Sequence, residues 1–326
     1  MDSVLSQLTV ESISAHLRGT GDDPTVQQAV HPVQIEHRLE IARRLFGSAS
    51  GAAGLDINEK RVLEVGCGQG DMSIVLAEVV GEGGHVVAID PAPLTYGAPM
   101  NLGQAQGVLK SSAVGSRLTF LRADVPTFFS SSSPAQELMS NSDLPFEAAV
   151  LAHCIFYFPS EAELLKTLTT LRRAGDIKHL CLAEWTLNAS NPTAVPHLLA
   201  ILAQSFLPKA EANVQTIFSP PQLKRLAESA GWKLKSESVI ANPTIQDGRW
   251  EVDMTLDFQR EREEEIKKAA AAASSAQDED KDGEKTRNLK TFSTFCDSIR
   301  AHLPDPAGSA KGVTCVDVWT AVFEAA

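Results

Sequence analysis

The sequence predicts an α/β fold, in which helices cover both faces of a doubly wound, mostly parallel sheet of seven strands with added helical cap elements. The first observation is that short apolar runs alternate with segments of helical spacing between residues 61 and 185. The second is that the first apolar run ends in a glycine-rich turn. The composition agrees, since 43% hydrophobic and 21% charged residues are ordinary for a folded chain of 326 residues.

The individual elements follow in order along the chain. Helical spacing after Pro32 predicts a first long helix that ends at Gly47. Short apolar runs predict strands at 61–66, 85–90, 118–123, 148–154, 179–185, 232–241 and 313–323. Further helical spacing predicts helices at 71–80, 161–173, 192–206, 220–230, 249–273 and 288–303.

The chain divides into an N-terminal helical cap, an α/β core, a helical insertion that acts as a lid, and the last strand of the core. The predicted boundaries of these four segments are 1–58, 59–243, 244–312 and 313–326. Within the core, residues 186–218 are predicted to form a cap helix. Within the insertion, the charged stretch 274–287 is predicted to be solvated and flexible.

The charge balance bears on the class of partner. Lys and Arg number 29 and Asp and Glu 41, so the formal net charge is −12. An acidic chain offers no broad surface for phosphate groups, which argues against DNA or RNA as a partner. The place of a D/N-P-P-Y/F motif after the fourth strand is taken by Ala152-His153-Cys154-Ile155, which also argues against an enzyme that modifies the bases of nucleic acids.

Cysteine usage and the lack of an apolar segment bear on the compartment. The scattered cysteines form no C-x-x-C pair, which argues against a disulfide scaffold and a structural zinc site. Residues 1–20 show no signal peptide, and the apolar run 148–158 is too short to span a bilayer. We therefore expect a cytoplasmic protein with reduced thiols and no membrane partner.

The segment that carries chemistry is the glycine-rich turn after the first strand. It begins with Glu64 and continues through Gly66, Cys67, Gly68 and Gly70 into the next helix. Glycine is needed where the backbone takes a positive φ or lets a ligand approach, and the helix N-terminus offers free N–H groups. A dinucleotide fingerprint, G-x-G-x-x-G, is not met because Gly70 falls one residue early.

Acidic residues follow the next two strands. Asp90 ends the second strand, where a carboxylate can accept hydrogen bonds from both ribose hydroxyls. Asp124 follows the third strand, where an acid could accept from an adenine amino group. The glycine turn and the two acids therefore indicate a nucleoside-binding site.

In this order and spacing, the three elements resemble the class I S-adenosylmethionine (SAM)-dependent methyltransferases of small-molecule type. The series in that family is E/D-x-G-x-G-x-G, then an acid after strand two and another after strand three. The resemblance covers roughly residues 58–241 and the last strand, and a dehydrogenase is the main alternative. It implies the seven-stranded class I fold, SAM as cofactor and S-adenosylhomocysteine as product.

The resemblance also implies a role for each residue of the glycine turn. Gly66, Cys67, Gly68 and Gly70 would pack against the methionine part of SAM, with backbone groups near Gly66 binding its ammonium. Glu64 would anchor that region directly or through water. The alternative for Glu64 is a carboxylate that braces the loop without touching the cofactor.

The nucleoside part of SAM is assigned in the same way. Asp90, with its neighbour Pro91, would bind the ribose. Asp124 and the Val125 amide would read the adenine. The alternatives are that Asp90 caps a helix and that Asp124 caps a turn before Pro126.

The methyl acceptor is expected at the carboxyl ends of the fourth and fifth strands, where His153 and Glu184 should face the transferable methyl group. An oxygen or weakly acidic nitrogen nucleophile needs a base, and histidine titrates near neutrality. His153 could instead pack beside SAM or bond to backbone, and Glu184 could brace a neighbouring loop. Ala152 and His153 stand where magnesium-dependent relatives place acidic ligands, so we predict that no metal is used.

The predicted N-terminal helix carries Gln34, His37 and Arg38. Proteins that resemble this chain often fold such a helix over the cofactor. His31 and His37 therefore either approach the site or lie on the surface of the helix.

The leading hypothesis is a SAM-dependent methyltransferase that acts on oxygen, nitrogen or sulfur of a small, partly apolar molecule, with secondary metabolism as its expected setting. The second is a protein methyltransferase or a methyltransferase-like regulatory subunit, with the charged stretch of the insertion as a docking element. The third is a SAM-binding pericyclase or isomerase. A homodimer or a protein partner is compatible with each hypothesis.

Overall fold

The computed structural model describes residues 2–16, 32–48, 54–97, 100–130, 145–173, 177–207, 213–272 and 281–326. These residues form a seven-stranded sheet with the order β3-β2-β1-β4-β5-β7-β6. Every pairing is parallel except those of β7, which lies antiparallel between β5 and β6. The predicted doubly wound, mostly parallel class I fold is therefore confirmed.

The strands follow the predicted runs closely. Their bounds are β1 Arg61–Val65, β2 His85–Asp90, β3 Leu118–Arg122, β4 Phe146–Ala152, β5 His179–Trp185, β6 Trp232–Ile240 and β7 Val318–Ala325. β7 begins later than the predicted boundary at residue 313. Asp317, just before it, accepts hydrogen bonds from the side chains of Asn188 and Ser190 and from the Asn242 amide, so it anchors loops instead of extending the strand.

Helices flank the sheet and extend beyond it. Their bounds are α1 Asp2–Gln7, α2 Val10–Ala15, α3 Pro32–Phe46, α4 Asp71–Val80, α5 Leu102–Lys110, α6 Val125–Phe128, α7 Glu161–Arg173, α8 Val195–Phe206, α9 Pro220–Ser229, α10 Asp247–Ala272 and α11 Lys281–Ala301. α5 is not among the predicted helices, although Asn101 and Gln104 form a capping box at its start.

The parallel strands at the centre of the sheet are buried on both faces, because helices cover both sides. Their register brings the carboxyl ends to one edge. Val65 of β1 lies opposite Ile89 of β2 and Leu151 of β4, and Ala152 lies opposite Ala183 of β5. Residues that follow these strands therefore meet at that edge.

The insertion forms a helical layer of its own. α10 and α11 pack against each other and against α8. Buried apolar side chains at their contacts form two clusters separate from the main core: Ala200, Val252, Ile299, Ala310 and Val313 in one, and Ala203, Phe258, Phe292 and Cys296 in the other.

The charged stretch of the insertion lies only partly within the described residues, and its flexibility stays a prediction. Residues 281–287 lie in the first turns of α11, whereas 274–280 fall outside the described residues. The part that the structure describes is helical, because Lys, Glu and Arg are good helix formers.

Candidate functional site

The glycine loop joins β1 to α4 and takes an unusual backbone path. Gly66, Gly68 and Gly70 have φ angles of 72°, 51° and 96°. The amides of Gly66 and Cys67 donate to the carbonyl of Ile89 at 2.8 and 3.2 Å, which holds the loop beside the end of β2. The positive φ angles explain why the loop is rich in glycine.

The space around these glycines differs. A Cβ on Gly66 would lie 2.5 Å from Cβ of Cys154, and a Cβ on Gly70 would collide with Leu109. A Cβ on Gly68 would meet nothing within 4 Å. The loop is therefore packed from behind at Gly66 and Gly70 and open at Gly68, as required where a ligand approaches the backbone closely.

Asp90 holds the open part of the loop in place. Its Oδ2 accepts from the Gly68 amide at 2.9 Å, and its Oδ1 accepts from the Ala92 amide at 2.8 Å. Asp90 caps no described helix, since α5 is capped by Asn101. Pro91, the next residue, is exposed.

Asp124 caps the start of α6, which is the alternative role given for it above. It is exposed, and its Oδ1 accepts from the Thr127 amide at 2.8 Å at the start of α6. Val125 is the first residue of this short helix and is buried. Contact between Asp124 or Val125 and adenine stays a prediction.

Glu64 is buried behind the glycine loop. Its Oε2 accepts from the hydroxyl of Ser73 on α4 at 2.5 Å. Burial raises the pKa of Glu64 to about 8, even though the Ser73 hydrogen bond acts to lower it. This is the geometry of a brace between β1 and α4, and contact with a cofactor stays a prediction.

His153 ends β4 and lies at the centre of the candidate site. Its φ of 55° turns the chain out of the strand, and its amide donates to Ala183 of β5 at 2.8 Å. Its Nε2 lies 2.9 Å from Nε2 of His37, and its ring centroid lies 4.2 Å from that of Trp185. Burial, followed by the charge of Arg38, lowers the pKa of His153 well below its usual range, so the imidazole is neutral.

Glu184 lies behind His153 and binds the turn that follows it. Its Oε2 accepts from the amides of Ile155 and Phe156 at 2.8 and 3.4 Å, and its Oε1 accepts from the Trp185 amide at 2.8 Å. Oε1 is also 3.6 Å from Nδ1 of His153. Burial raises the pKa of Glu184 to about 7 against these amide bonds, which act to lower it.

Two helices from outside the core cover this part of the site. α3 contributes His37, Arg38 and Gln34, and the Gln34 Nε2 donates to Oδ2 of Asp247 on α10 at 2.8 Å. His31 falls outside the described residues. The contact joins the N-terminal helix to the insertion one helical turn from His37, which contacts His153.

The insertion also places a buried carboxylate beside the site. Glu251 of α10 accepts from the side chains of Asn213 and Gln204 at 2.8 and 2.7 Å, and burial raises its pKa to about 7. Tyr157, in the turn after β4, keeps 48% of its surface exposed. Desolvation of its hydroxyl, followed by the charge of Glu251, raises the pKa of Tyr157.

Several contacts at the site carry no signal in the sequence. The Gln106 Nε2 of α5 donates to the Gly68 carbonyl at 2.8 Å. His197 of α8 packs edge-on against Trp185 and accepts from the Val316 amide at 3.1 Å, and burial lowers its pKa to about 3. Each contact joins distant segments, so local spacing could not reveal it.

The described residues also bear on metal binding and on membrane insertion. In the part of the chain that the structure describes, no group of three or more His, Cys, Asp or Glu side chains is placed to hold a metal ion. Among the same residues, no helix is both long and apolar enough to cross a bilayer.

Comparison with known proteins identifies the family. Residues 36–237 match a family described as "Methyltransferase domain". The methyltransferase phomM of Diaporthe leptostromiformis is 26% identical over 254 residues, which cover 67% of this chain and 65% of that protein. The methyltransferase phomM' of the same organism is 29% identical over 199 residues, covering 56% and 51%. This chain therefore spans between half and two thirds of the length of these relatives.

One solved structure is similar over nearly the whole chain. It is a cyclopropane-fatty-acyl-phospholipid synthase-like protein from Lactobacillus casei, with 26% identity and a TM-score of 0.68 over 97% of this chain and 98% of that one. Since the family match spans more than half of the sequence, this chain belongs to the class I SAM-dependent methyltransferases. Its cofactor is SAM.

Proposed function

We propose that this protein transfers the methyl group of SAM to oxygen, nitrogen or sulfur of a small, partly apolar organic molecule. The observation that carries the proposal is the enclosure of His153 and Glu184, whose side chains are 5% and 1% exposed at the ends of β4 and β5. α3 and α10 meet above them through Gln34 and Asp247. An enclosed site with aromatic walls suits a small acceptor better than a side chain on a folded protein.

The residues of the glycine loop fit the cofactor. The open face of Gly68 lets a ligand approach the backbone, and Asp90 lies directly beside it. In this proposal Asp90, next to Pro91, takes the ribose, while Asp124 and the Val125 amide take the adenine. Gly66, Cys67 and Gly70 shape the loop, and Glu64 braces it through Ser73.

The chemistry then needs a base for an acceptor that carries a proton. SAM supplies, when bound, a methyl group made electrophilic by its positive sulfur. In this proposal Nε2 of His153 takes the proton from the acceptor. Its Nδ1 forms no hydrogen bond and lies 3.6 Å from Oε1 of Glu184, so Nδ1 carries the ring proton here. Nε2 is occupied by His37 in this structure, and an acceptor O–H or N–H would take the place of the His37 N–H.

Glu184 has a positioning role in this proposal. Its carboxylate holds the amides of Ile155 and Phe156, and so fixes the turn that follows His153. It also lies close enough to His153 to stabilise the imidazolium that forms when Nε2 gains a proton. The base is therefore His153, and Glu184 acts through it.

The relatives support a role in secondary metabolism. Both carry the name methyltransferase and come from a fungus, and they match this chain over part of their length. The proposal for the acceptor rests on the enclosed site and not on these names.

Methyl-labelled SAM tests the proposal directly. The protein is incubated with labelled SAM and an extract of its native source, and small metabolites are separated from precipitated protein. Label among the metabolites, absent with the Asp90→Ala variant, is the expected result. Label in the protein pellet would contradict the small acceptor, and consumption of a metabolite without gain of label would point to a pericyclase or isomerase.

A further inference from the structure

Arg38 is a buried cation with an unmet hydrogen-bonding need. It lies on the face of α3 that covers the sheet edge, and only 7% of its surface is exposed. Its Nη1 is buried and has no hydrogen-bond partner among the described residues. A buried guanidinium is costly unless an anion pairs with it, so its position requires an explanation.

The nearby carboxylates do not pair with the guanidinium of Arg38. Arg38 interacts electrostatically with Glu64 and Glu184, so it lies near the ends of β1 and β5. Within the described part of the chain, however, neither acid forms an ion pair with it. Glu64 binds Ser73, and Glu184 binds three backbone amides.

The order of the strands indicates which anion reaches Arg38. Asp124 follows β3 and Asp90 ends β2, and the next strands along the edge are β1 and β4. With its nucleoside over β3 and β2, as proposed above, SAM must extend its methionine end across β1 toward β4. Neighbouring strands are about 4.8 Å apart, so this end lies within the region that Arg38 covers.

We propose that Arg38 binds the carboxylate of the methionine end of SAM, and that α3 thereby forms part of the cofactor site. The methionine end carries a carboxylate, an ammonium and the sulfonium, and only the carboxylate attracts a guanidinium. The planar guanidinium can bind both carboxylate oxygens, which suits it to this task. This inference rests on the proposed function for the orientation of SAM.

The same contact links the cofactor to the candidate base. His37, the residue before Arg38, is bonded to His153 at 2.9 Å. A carboxylate held by Arg38 fixes α3 over the edge of the sheet, and with it the position of His37. Bound cofactor therefore completes the wall of the acceptor site.

The test compares SAM with decarboxylated SAM, in which a hydrogen replaces the carboxylate. Dissociation constants are measured by calorimetry for the wild type and for Arg38→Gln, Arg38→Lys and Arg44→Gln. Arg44 lies on the same helix, where it pairs with Glu40, so its variant is the matched control. Arg38→Gln should weaken SAM binding about 10- to 100-fold and change the affinity for decarboxylated SAM less than about threefold.

The two further variants and the melting temperature separate a contact with the carboxylate from a role in the fold. Arg38→Lys should bind SAM with intermediate affinity, because it keeps the charge and loses the planar donor pair. Arg44→Gln should bind both compounds as the wild type does. Arg38→Gln should melt no lower than the wild type without SAM, because it removes a buried unpaired charge.

Four results would overturn the inference. An equal loss of affinity for both compounds in Arg38→Gln would mean that Arg38 only supports the fold of the site. Unchanged SAM affinity in that variant would exclude the contact. Equal affinity of the wild type for both compounds would exclude recognition of the carboxylate and leave the proposed methyl transfer intact. Failure of the wild type to bind either compound would contradict both proposals.

Discussion

Nε2 of His37 lies 2.9 Å from Nε2 of His153, so two histidines from separate parts of the chain share one hydrogen bond. One nitrogen of this pair must carry the proton and the other must accept it. Burial is the main cause that lowers the pKa of both rings, and His153 lowers that of His37 further. Both rings are therefore neutral, so one Nε2 of the pair has a lone pair that accepts the hydrogen bond.

The first prediction concerns His153. Replacing it by glutamine keeps a polar group beside His37 and removes the base. We expect turnover to fall about 10²- to 10⁴-fold, which is typical for the loss of a general base. Affinity for SAM should change less than about threefold. The measurement is the rate of label transfer from methyl-labelled SAM to the metabolite fraction, with SAM affinity measured separately.

A matched variant separates catalysis from packing. His197→Gln alters another histidine that contacts Trp185, edge-on with ring centroids 5.0 Å apart. It should reduce stability more than turnover per folded molecule. Full activity in His153→Gln would exclude His153 as the base.

The glycine loop could be predicted from the sequence because its positive φ angles depend on a few neighbouring residues. Three glycines in alternate positions have positive φ, and Asp90 binds the loop at Gly68. Their spacing along the chain therefore fixes the arrangement. The same locality let the apolar runs predict the strands.

The walls of the site could not be predicted in this way. His37 and His153 are 116 positions apart, and Gln34 and Asp247 are 213 apart. Such contacts depend on how α3 and α10 pack over the sheet. A single sequence contains no periodic signal for them, since the helix spacing indicates which face is apolar but not what it covers.

The second prediction contrasts two glycines of the loop. Alanine at either Gly66 or Gly68 takes a left-handed conformation that costs about 1–2 kcal/mol. Gly66→Ala adds a collision with Cys154, so its melting temperature should fall clearly below that of Gly68→Ala. Gly68→Ala instead puts a methyl group on the open face of the loop and should weaken SAM binding at least about 10-fold.

Thermal unfolding and SAM titration of both variants check this contrast. A Gly68→Ala protein that binds SAM as tightly as the wild type would show that the cofactor does not approach the loop at this point. Equal melting temperatures for the two variants would show that Cys154 moves aside without cost.

The third prediction tests whether Asp124 does more than cap α6. Serine is also a good N-cap residue, so Asp124→Ser should leave stability nearly unchanged. Its side chain is shorter and uncharged, so a contact with adenine would be lost. We expect SAM binding to weaken several-fold, and about 10-fold or more in Asp90→Asn, because hydrogen bonds to a charged group contribute about 1.5–3 kcal/mol.

Titration with adenosine alone is the control for Asp124→Ser and Asp90→Asn. Adenosine contains the ribose and the adenine that the two acids are proposed to bind. Each substitution should weaken the binding of adenosine and the binding of SAM by the same factor. Unchanged affinity in Asp124→Ser, with stability also unchanged, would reduce Asp124 to its capping role.

The last prediction follows from the buried carboxyl group of Glu64, whose pKa is raised by burial from an ordinary value near 4.5 to about 8. Below pH 4.5 the group is protonated in both the folded and the unfolded state and contributes no pH dependence. Between pH 4.5 and 8 the unfolded chain releases this proton while the folded chain keeps it, so the free energy of unfolding falls as the pH rises. Glu64→Gln stays neutral in both states and can still accept from Ser73, so its stability should fall less across this range.

Urea unfolding at several values between pH 5 and 8 measures the difference. Glu161→Gln makes the same chemical change at an exposed position, without altering a buried carboxyl group, and is the control. The wild type and the control should lose stability more steeply than Glu64→Gln as the pH rises. Parallel curves for all three proteins would mean that Glu64 is ionised in the folded state, and a buried anion there would supply the partner that Arg38 otherwise lacks. This one experiment therefore also bears on the proposed contact between Arg38 and the carboxylate of SAM.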